Sequence, residues 1–307
     1  MILTVSLNSA LQKILVFDEF NEGHVLRAKE LFQNASGKGI NVSRAIKNLG
    51  GTALATGFVG GINGKLMKKM LKDEGIKEHL TLTETNTRVC TTVINEKTNS
   101  STELIEPGGK ISAKEIAAFR TDFTSSLKHA SLVSISGTLP PGCGEDLYAE
   151  LVSEAHKKGV KVCADIRGEP LLRAFKAKAK PYLLKMNSLE FKDTFGERKM
   201  QEVFTELLAA GIETVIITFG KDGLVAAVKE GIYGAIPEKI IPLNATGAGD
   251  SMMGGFCFAI EKGAGLTEIL QTGTGAAVAS TQTFLPAVFT KTSADKYSKP
   301  VKVKKLC

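Results

Sequence analysis

Near its C-terminal end the chain reads Asn244-Ala245-Thr246-Gly247-Ala248-Gly249-Asp250-Ser251 and runs straight into an apolar helical pattern of Met252, Met253, Phe256, Phe258 and Ala259. Two glycines permit a tight turn, and a helix that follows leaves its first amide N–H groups aimed at whatever sits above them. That combination is an anion site. A carboxylate at its edge, Asp250, suits an enzyme that holds a phosphoryl group still while taking the proton of an attacking hydroxyl. The plainer alternative is an acid that simply favours the first turn of a helix.

Four further loops carry similar residue types. In Ala35-Ser36-Gly37-Lys38-Gly39-Ile40-Asn41-Val42 the small residues permit close approach, while Lys38 and Asn41 offer a cation and an amide to an anionic, hydroxylated ligand. An ordinary helix start reads the same way. The turn Ser136-Gly137-Thr138-Leu139-Pro140-Pro141-Gly142 follows an expected strand, at the carboxyl end where open α/β sheets bind ligands, and is equally a rigid proline turn. In Lys185-Met186-Asn187-Ser188-Leu189-Glu190, Asn187 and Glu190 suit Mg²⁺ held through water, or nucleotide phosphates, or a helix capping box. Thr218-Phe219-Gly220-Lys221-Asp222-Gly223 suits a base or ribose and is also an everyday turn. Each loop alone says little, but five that each follow a strand would gather at one edge of one sheet.

Commoner nucleotide motifs do not explain these glycines. Five residues before Gly37, Gly64 and Gly220 stand Phe32, Val59 and Val215, so no Gly-Lys pair completes a P-loop. The dinucleotide pattern fails as well, because Gly37-Lys38-Gly39, Gly247-Ala248-Gly249 and Gly273-Thr274-Gly275 reach Val42, Met252 and Val278 where a glycine is needed.

The elements that must position these loops alternate. Apolar runs of strand length at 2–7, 53–58, 131–136, 161–165, 183–186 and 214–218 are separated by amphipathic stretches at 40–49, 65–73, 113–127, 145–157 and 200–209, the pattern of a parallel sheet flanked by helices. Two segments, 10–34 and 87–105, break the alternation. Rich in Val, Leu, Ile, Phe and Thr, with turns at Asn21-Glu22-Gly23 and Asn99-Ser100, they read as hairpins forming a small second sheet that acts as a lid. The stretch after Pro286 reads as a linker, except that Val301, Val303 and Leu306 alternate with lysines as in a charge-guarded edge strand.

With 307 residues and 43% apolar content, the chain can bury a full core. The formal charge of +7 is concentrated in the last stretch, where Lys291, Lys296, Lys299, Lys302, Lys304 and Lys305 face only Asp295. The rest is nearly balanced, and with 6% aromatic residues and no Trp the composition argues against nucleic-acid binding. Cys90, Cys143, Cys163, Cys257 and Cys307 are scattered and never spaced C-x-x-C, as expected of reduced thiols in a cytoplasmic protein without a zinc site. No basic leader precedes the first expected strand, and no apolar run is long enough to span a membrane.

Taken together, these residues resemble the ribokinase-like, or PfkB-type, carbohydrate kinases. The resemblance runs from Leu7-Asn8 through the tail and is carried by Ser36-Gly37-Lys38-Gly39-Ile40-Asn41, Asn187 to Glu190, and Thr246-Gly247-Ala248-Gly249-Asp250-Ser251, in the family's order and spacing. Asn86-Thr87-Arg88 and the Ser136 to Gly142 turn are most similar to the branch of 1-phosphofructokinases and tagatose-6-phosphate kinases, which phosphorylate a ketohexose phosphate. The resemblance implies a three-layer α/β/α domain over 1–307 with lid segments at about 10–34 and 87–106. It also implies Mg²⁺ and ATP, and a homodimer contact through the lid sheet.

By the same resemblance, Asp250 is the base, and Gly247, Ala248 and Gly249 offer amides to the transferring phosphoryl group. Lys38 and Arg88 bind the phosphate already on the sugar, Gln12, Asn41 and Gly37 address its hydroxyls, and Ser136 and Gly137 line the substrate. Lys185, Asn187, Thr218, Gly220 and Gly223 serve the nucleotide, with Asn187 and Glu190 on the magnesium through water. His24, His79, His129 and His156 match no motif. Three departures stand out: Gln12 where the branch usually has an aspartate, Ser36 in place of a glycine, and Ala245 in place of a frequent proline. A neutral glutamine also donates, so it redirects sugar recognition. A kinase of an unphosphorylated sugar or nucleoside, and a non-catalytic sensor on the same scaffold, are the other readings.

Overall fold

The computed structural model describes residues 1–306, so Cys307 lies outside the described residues. Along the chain run β1 (Ile2–Ser6), β2 (Ala10–Phe17), β3 (Glu30–Ser36), α1 (Lys38–Asn48), β4 (Ala53–Gly60), α2 (Gly61–Asp73), β5 (Lys77–Thr83), β6 (Arg88–Asn95), β7 (Ser100–Ile105) and α3 (Ala113–Leu127). Then follow β8 (Leu132–Ser136), α4 (Leu147–Lys157), β9 (Lys161–Asp165), α5 (Glu169–Lys176), β10 (Leu183–Asn187), α6 (Ser188–Phe195), α7 (Met200–Ala209) and β11 (Thr214–Thr218). The chain continues through β12 (Leu224–Val228), β13 (Gly231–Ile236), α8 (Ala248–Glu261), α9 (Leu266–Ser280), α10 (Lys291–Ser298) and β14 (Lys302–Lys305).

Ten strands form one sheet in the order β14-β13-β12-β11-β10-β9-β8-β1-β4-β5. From β5 across to β11 the pairs are parallel, and β12, β13 and β14 add an antiparallel margin. Parallel pairs need crossovers, and the crossover helices cover both faces. Alternate residues therefore enter different cores. Leu3, Val5, Val133, Ile135, Leu184, Met186, Val215 and Ile217 pack with side chains of α3, α4 and α7, while Ile2, Leu132, Leu183 and Ile216 pack with those of α1, α8 and α9. This is the parallel sheet flanked by helices that the alternation predicts, in the three-layer α/β/α form that the resemblance implies.

The two segments that break the alternation make a separate four-stranded sheet, β3-β2-β6-β7, in which two hairpins join through the parallel pair β2–β6. One face of it lies on the large body: Ile14, Val16, Ile94 and Phe32 pack with Phe284 and Leu285, and Phe32 stacks on Phe284 at 5.3 Å. Leu31 and Leu104 stand exposed on the opposite face.

Three expectations need correction. The stretch after Pro286 is not a linker: Thr290 and Ser293 form a capping box, α10 buries Ala294, and β14 pairs with β13 as the charged edge strand. Nor do all five loops follow strands of one sheet. Ser36 ends a strand of the small sheet, and Asn244 to Asp250 is reached by a long irregular stretch after β13. Finally, β5, β12, β13, α5, α9 and α10 were not foreseen. In α9 the reason is packing, since a Cβ on Gly255 of α8 would lie 2.6 Å from Gly273 Cα, so glycines that weaken the helical signal permit the contact.

The same kind of close approach sets the start of α1. A Cβ on Gly39 would lie 2.3 Å from the Val5 carbonyl oxygen, so only glycine lets α1, with Lys38 and Asn41, sit directly against β1. Gly39→Ala is expected to lose about 1–3 kcal/mol in urea unfolding. Gly144→Ala, where a Cβ meets nothing, should change stability by no more than about 0.5 kcal/mol.

Candidate active site

The turn into α8 is held from both sides. Gly247 has φ 79 and would place a Cβ 2.7 Å from Pro286 Cβ, so the position requires glycine. Asn244 Oδ1 accepts from Thr246 N at 2.9 Å while its Nδ2 donates to Phe284 O at 2.7 Å. Ala248 N donates to Ala245 O at 3.2 Å. The helix start leaves the amides of Gly249 and Asp250 without intrahelical acceptors.

Asp250 is buried at that start and receives a hydrogen bond from Asn41 Nδ2 at 2.8 Å. The Asn41 amide is oriented in turn by donors on its oxygen, Arg44 Nη1 at 2.9 Å and Ser36 Oγ at 3.3 Å. Arg44 is itself locked by Glu74 and the Ala35 carbonyl. Burial pushes the Asp250 carboxyl above the ordinary aspartate range. Lys38 opposes the rise, Asp165 adds to it, and the Asn41 bond and Lys185 pull it back.

Beside Asp250 lies a cluster of alternating charge. Asp165, 1% exposed, ends β9 and meets two cations, Lys185 Nζ at 2.8 Å and Lys38 Nζ at 3.3 Å. Lys38 also donates to Glu190 Oε1 at 3.0 Å. Burial opposes the charge on Asp165, but Lys185 and Lys38 outweigh it and hold the carboxyl below its usual range. Burial likewise opposes the Lys38 ammonium, and Asp165, Asp250 and Glu190 together raise it above the usual lysine range. A Cβ on Gly249 would meet Lys185 Nζ at 3.1 Å, so the cation reaches the amides of the α8 turn.

Asn187 and Glu190 do form the capping box: Asn187 Oδ1 accepts from Glu190 N at 2.8 Å, and Glu190 Oε2 accepts from Asn187 N at 2.9 Å. With Glu190 Oε1 on Lys38, both carboxylate oxygens have protein partners, which suits contact with a cation through water better than direct ligation. Among the described residues there is no cluster of three or more His, Cys, Asp or Glu side chains fit to hold a metal by themselves.

The remaining expected residues fall into three places. Thr218, Gly220 and Gly223 line a cavity of about 470 Å³ whose wall is shared by Ala248, Gly249 and Met252. Arg88 does not touch Lys38; it donates to Glu106 O at 3.1 Å and Asn8 O at 2.9 Å, and Asn8 Nδ2 donates to Thr138 Oγ1 at 3.2 Å. The turn with Ser136 and Gly137 thus meets Lys38 directly, the lysine carbons about 3.6–3.9 Å from where a Gly137 Cβ would stand, and is joined to Arg88 through Thr138 and Asn8. Gln12 is buried within the small sheet, its Nε2 donating to Thr92 Oγ1 at 2.9 Å and Lys13 O at 3.3 Å. A Cβ on Gly37 would meet Ser6 Oγ at 2.6 Å, so that glycine packs on the end of β1.

Asp165, Arg44, Glu74 and Glu103 escaped sequence reasoning. Glu103 Oε1 accepts from Thr246 Oγ1 at 2.9 Å, joining the small sheet to the α8 turn. Only Asp165 had a visible signal, an acid closing an apolar strand.

The Lys185–Asp165 pair is removed from water at both ends, so Lys185→Met should destabilise the protein by about 3–5 kcal/mol in urea at neutral pH. A depressed carboxyl contributes stability that is present above the ordinary aspartate value and lost as pH falls through its folded value. The acid-dependent loss of stability should therefore be shallower in Lys185→Met than in the unsubstituted protein.

Residues 3–291 match the family described as pfkB family carbohydrate kinase. Among solved structures, a possible 1-phosphofructokinase from Thermotoga maritima is 27% identical with a TM-score of 0.92, covering 100% of both chains. Phosphofructokinase-2 from Escherichia coli in complex with fructose-6-phosphate is 25% identical with a TM-score of 0.86, over 97% of this chain and 98% of that one. The tetrameric inhibited form of the same Escherichia coli enzyme matches with the same identity, TM-score and coverage.

Proposed function

Because the chain belongs to the pfkB family of carbohydrate kinases, we propose that it transfers the γ-phosphoryl group of ATP to a hydroxyl of a ketohexose phosphate, fructose 1-phosphate ahead of tagatose 6-phosphate or fructose 6-phosphate. The observation that carries this reading is Asp250 in the first turn of α8, oriented by Asn41, on a helix whose Ala248, Gly249 and Met252 share the cavity of Thr218, Gly220 and Gly223. The likeness to a possible 1-phosphofructokinase and to phosphofructokinase-2 supports it.

Asp250 Oδ1 is the oxygen that Asn41 leaves for the sugar hydroxyl, whose proton it accepts as the oxygen–phosphorus bond forms. Amides of the Gly247-Ala248-Gly249 turn and the Lys185 ammonium face the charge that develops on the transferring group. Arg88 binds the phosphate already on the sugar, and Ser136 and Gly137 line the substrate; Lys38 joins Arg88 by giving up part of its bond to Glu190. Thr218, Gly220 and Gly223 hold the nucleoside. Bound Mg²⁺ supplies counter-charge to the triphosphate, and Glu190 with Asn187 would hold it through water.

Two features bear on partners. No helix among the described residues is long and apolar enough to cross a membrane. The exposed Leu31 and Leu104 on the outer face of the small sheet are the proposed contact with a second copy of the chain, the small sheet serving as a lid over each site.

A second reading, a kinase of an unphosphorylated sugar, is favoured by one observation: Lys38 is already paired with two acids, leaving less positive charge for a sugar phosphate. One experiment separates the two. ADP release from Mg²⁺-ATP is followed with fructose 1-phosphate, fructose 6-phosphate, tagatose 6-phosphate, ribose and nucleosides. Turnover of one phosphosugar, reduced about 10²–10⁴-fold in kcat by Asp250→Asn, is the expected result, whereas turnover of neutral sugars alone would overturn the phosphosugar reading.

The pH profile has a defined sign. The raised Asp250 carboxyl means kcat falls as pH drops through a value above the ordinary aspartate range. Asn41 donates to the charged form, so Asn41→Ala should move that acid limb to still higher pH; a limb that stays in place would separate Asn41 from the base.

A further inference from the structure

The underside of the small sheet carries a polar side chain that nothing in the folded chain satisfies. Asn34 is 5% exposed, and neither its Oδ1 nor its Nδ2 has a hydrogen-bonding partner. A buried amide left this way is strongly disfavoured, because both groups give up water and gain nothing.

Strand register fixes where Asn34 lies. It stands directly opposite Gln12, which pairs with Cys90. Successive residues of a strand alternate faces, so Phe32, Ser36, Thr92 and Glu103 share the face of Asn34. Those neighbours are all engaged. Ser36 bonds Asn41, Phe32 stacks on Phe284, Glu103 accepts from Thr246, and Thr92 accepts from Gln12. Asn34 thus lies between two contacts that clamp the small sheet to the large body. One leads through Asn41 to Asp250, and the other ends beside Gly247.

We propose that Asn34 reads a hydroxyl of the sugar, and that until it does so its unpaired amide weakens the closed arrangement of the small sheet over an empty site. The substrate half of this proposal rests on the sugar-kinase reading above; the closing half does not. A hydroxyl is the chemical match, since it donates to Oδ1 and accepts from Nδ2, whereas a phosphate or carboxylate only accepts and leaves Oδ1 stranded. Closure without sugar buries the amide unpaired and closure with sugar pairs it. That difference is what lets a ligand shift the balance between open and closed forms.

The closing half is tested on ligand-free protein by hydrogen exchange at residues 10–36, with β8 as the internal reference. Asn34→Leu keeps the size and has no polar group to strand, so exchange in β2 and β3 should slow about tenfold. Asn34→Asp would bury a charge, so exchange there should quicken by at least as much. Should Asn34→Leu loosen β8 as well, Asn34→Ala, which also strands no polar group, takes its place. Unchanged or faster exchange in the apolar variant, with β8 intact, overturns the proposal whatever the substrate proves to be.

The reading half is tested with the best sugar from the panel and its deoxy analogues. The unsubstituted protein should prefer the parent over one analogue by about 10–100-fold in kcat/KM, and Asn34→Leu should erase that preference for this analogue alone. An equal loss across all analogues overturns the hydroxyl contact. If no sugar turns over, the same comparison is made on dissociation constants from calorimetry, so failure of the kinase reading and failure of the Asn34 contact give different results.

Discussion

Asp165 has almost no contact with water and sits between two ammonium groups, and the site is organised around that arrangement. Its partners come from separate parts of the chain: Lys38 from the start of α1 and Lys185 from β10, with Glu190 of α6 completing the coordination of Lys38. A carboxylate in that position is stable only while its cations stay, and the cations are stable only beside the acids. The cluster therefore fixes the relative placement of α1, β9, β10 and α6, whose ends meet around the cleft. It also leaves Lys185 beside the start of α8, close to Gly249.

A second network, almost free of net charge, runs from the other side. Glu74 holds Arg44, Arg44 orients the Asn41 amide, and Asn41 donates to Asp250. The two networks act on Asp250 in opposite senses. Burial and Asp165 disfavour its charge, while Lys38, Asn41 and Lys185 favour it. A carboxyl balanced in this way is a better proton acceptor than one held deep in an ion pair, because its basicity is not spent on a permanent partner. The small sheet adds the third constraint through Glu103 and Phe32, which tie it to the α8 turn and to Phe284.

Much of the architecture was legible because its causes are local. The strands at 161–165 and 214–218 and the helices at 113–127 and 200–209 occur where the apolar periods place them. Elements whose side chains are governed by a neighbour were not. β5 carries Lys77, Glu78 and His79 on the margin of the sheet, and α9 needs Gly273 for its contact with α8. The tail shows both cases, since the lysine alternation of β14 was readable and α10, short and polar, was not. For the site, the glycine loops and Asp250 stood out because turn geometry and anion binding restrict residue type at each position. Gln12 was visible as a departure, yet its commitment to Thr92 depends on a strand eighty positions away in sequence.

By itself the sequence determined that this is an α/β chain with a glycine turn opening a helix near its C-terminal end, a carboxylate in that helix's first turn and two inserted hairpins. Those features follow from periodicity and from the restricted backbone choices of glycine, which act within a few residues. Only the tertiary structure decided that Lys38 pairs with acids, that Asn41 turns toward Asp250, and that Asn34 faces inward without a partner. The reason is that ion pairing, amide orientation and burial depend on distances between segments far apart in sequence, and those distances exist only once the sheet register and helix packing have brought the segments together.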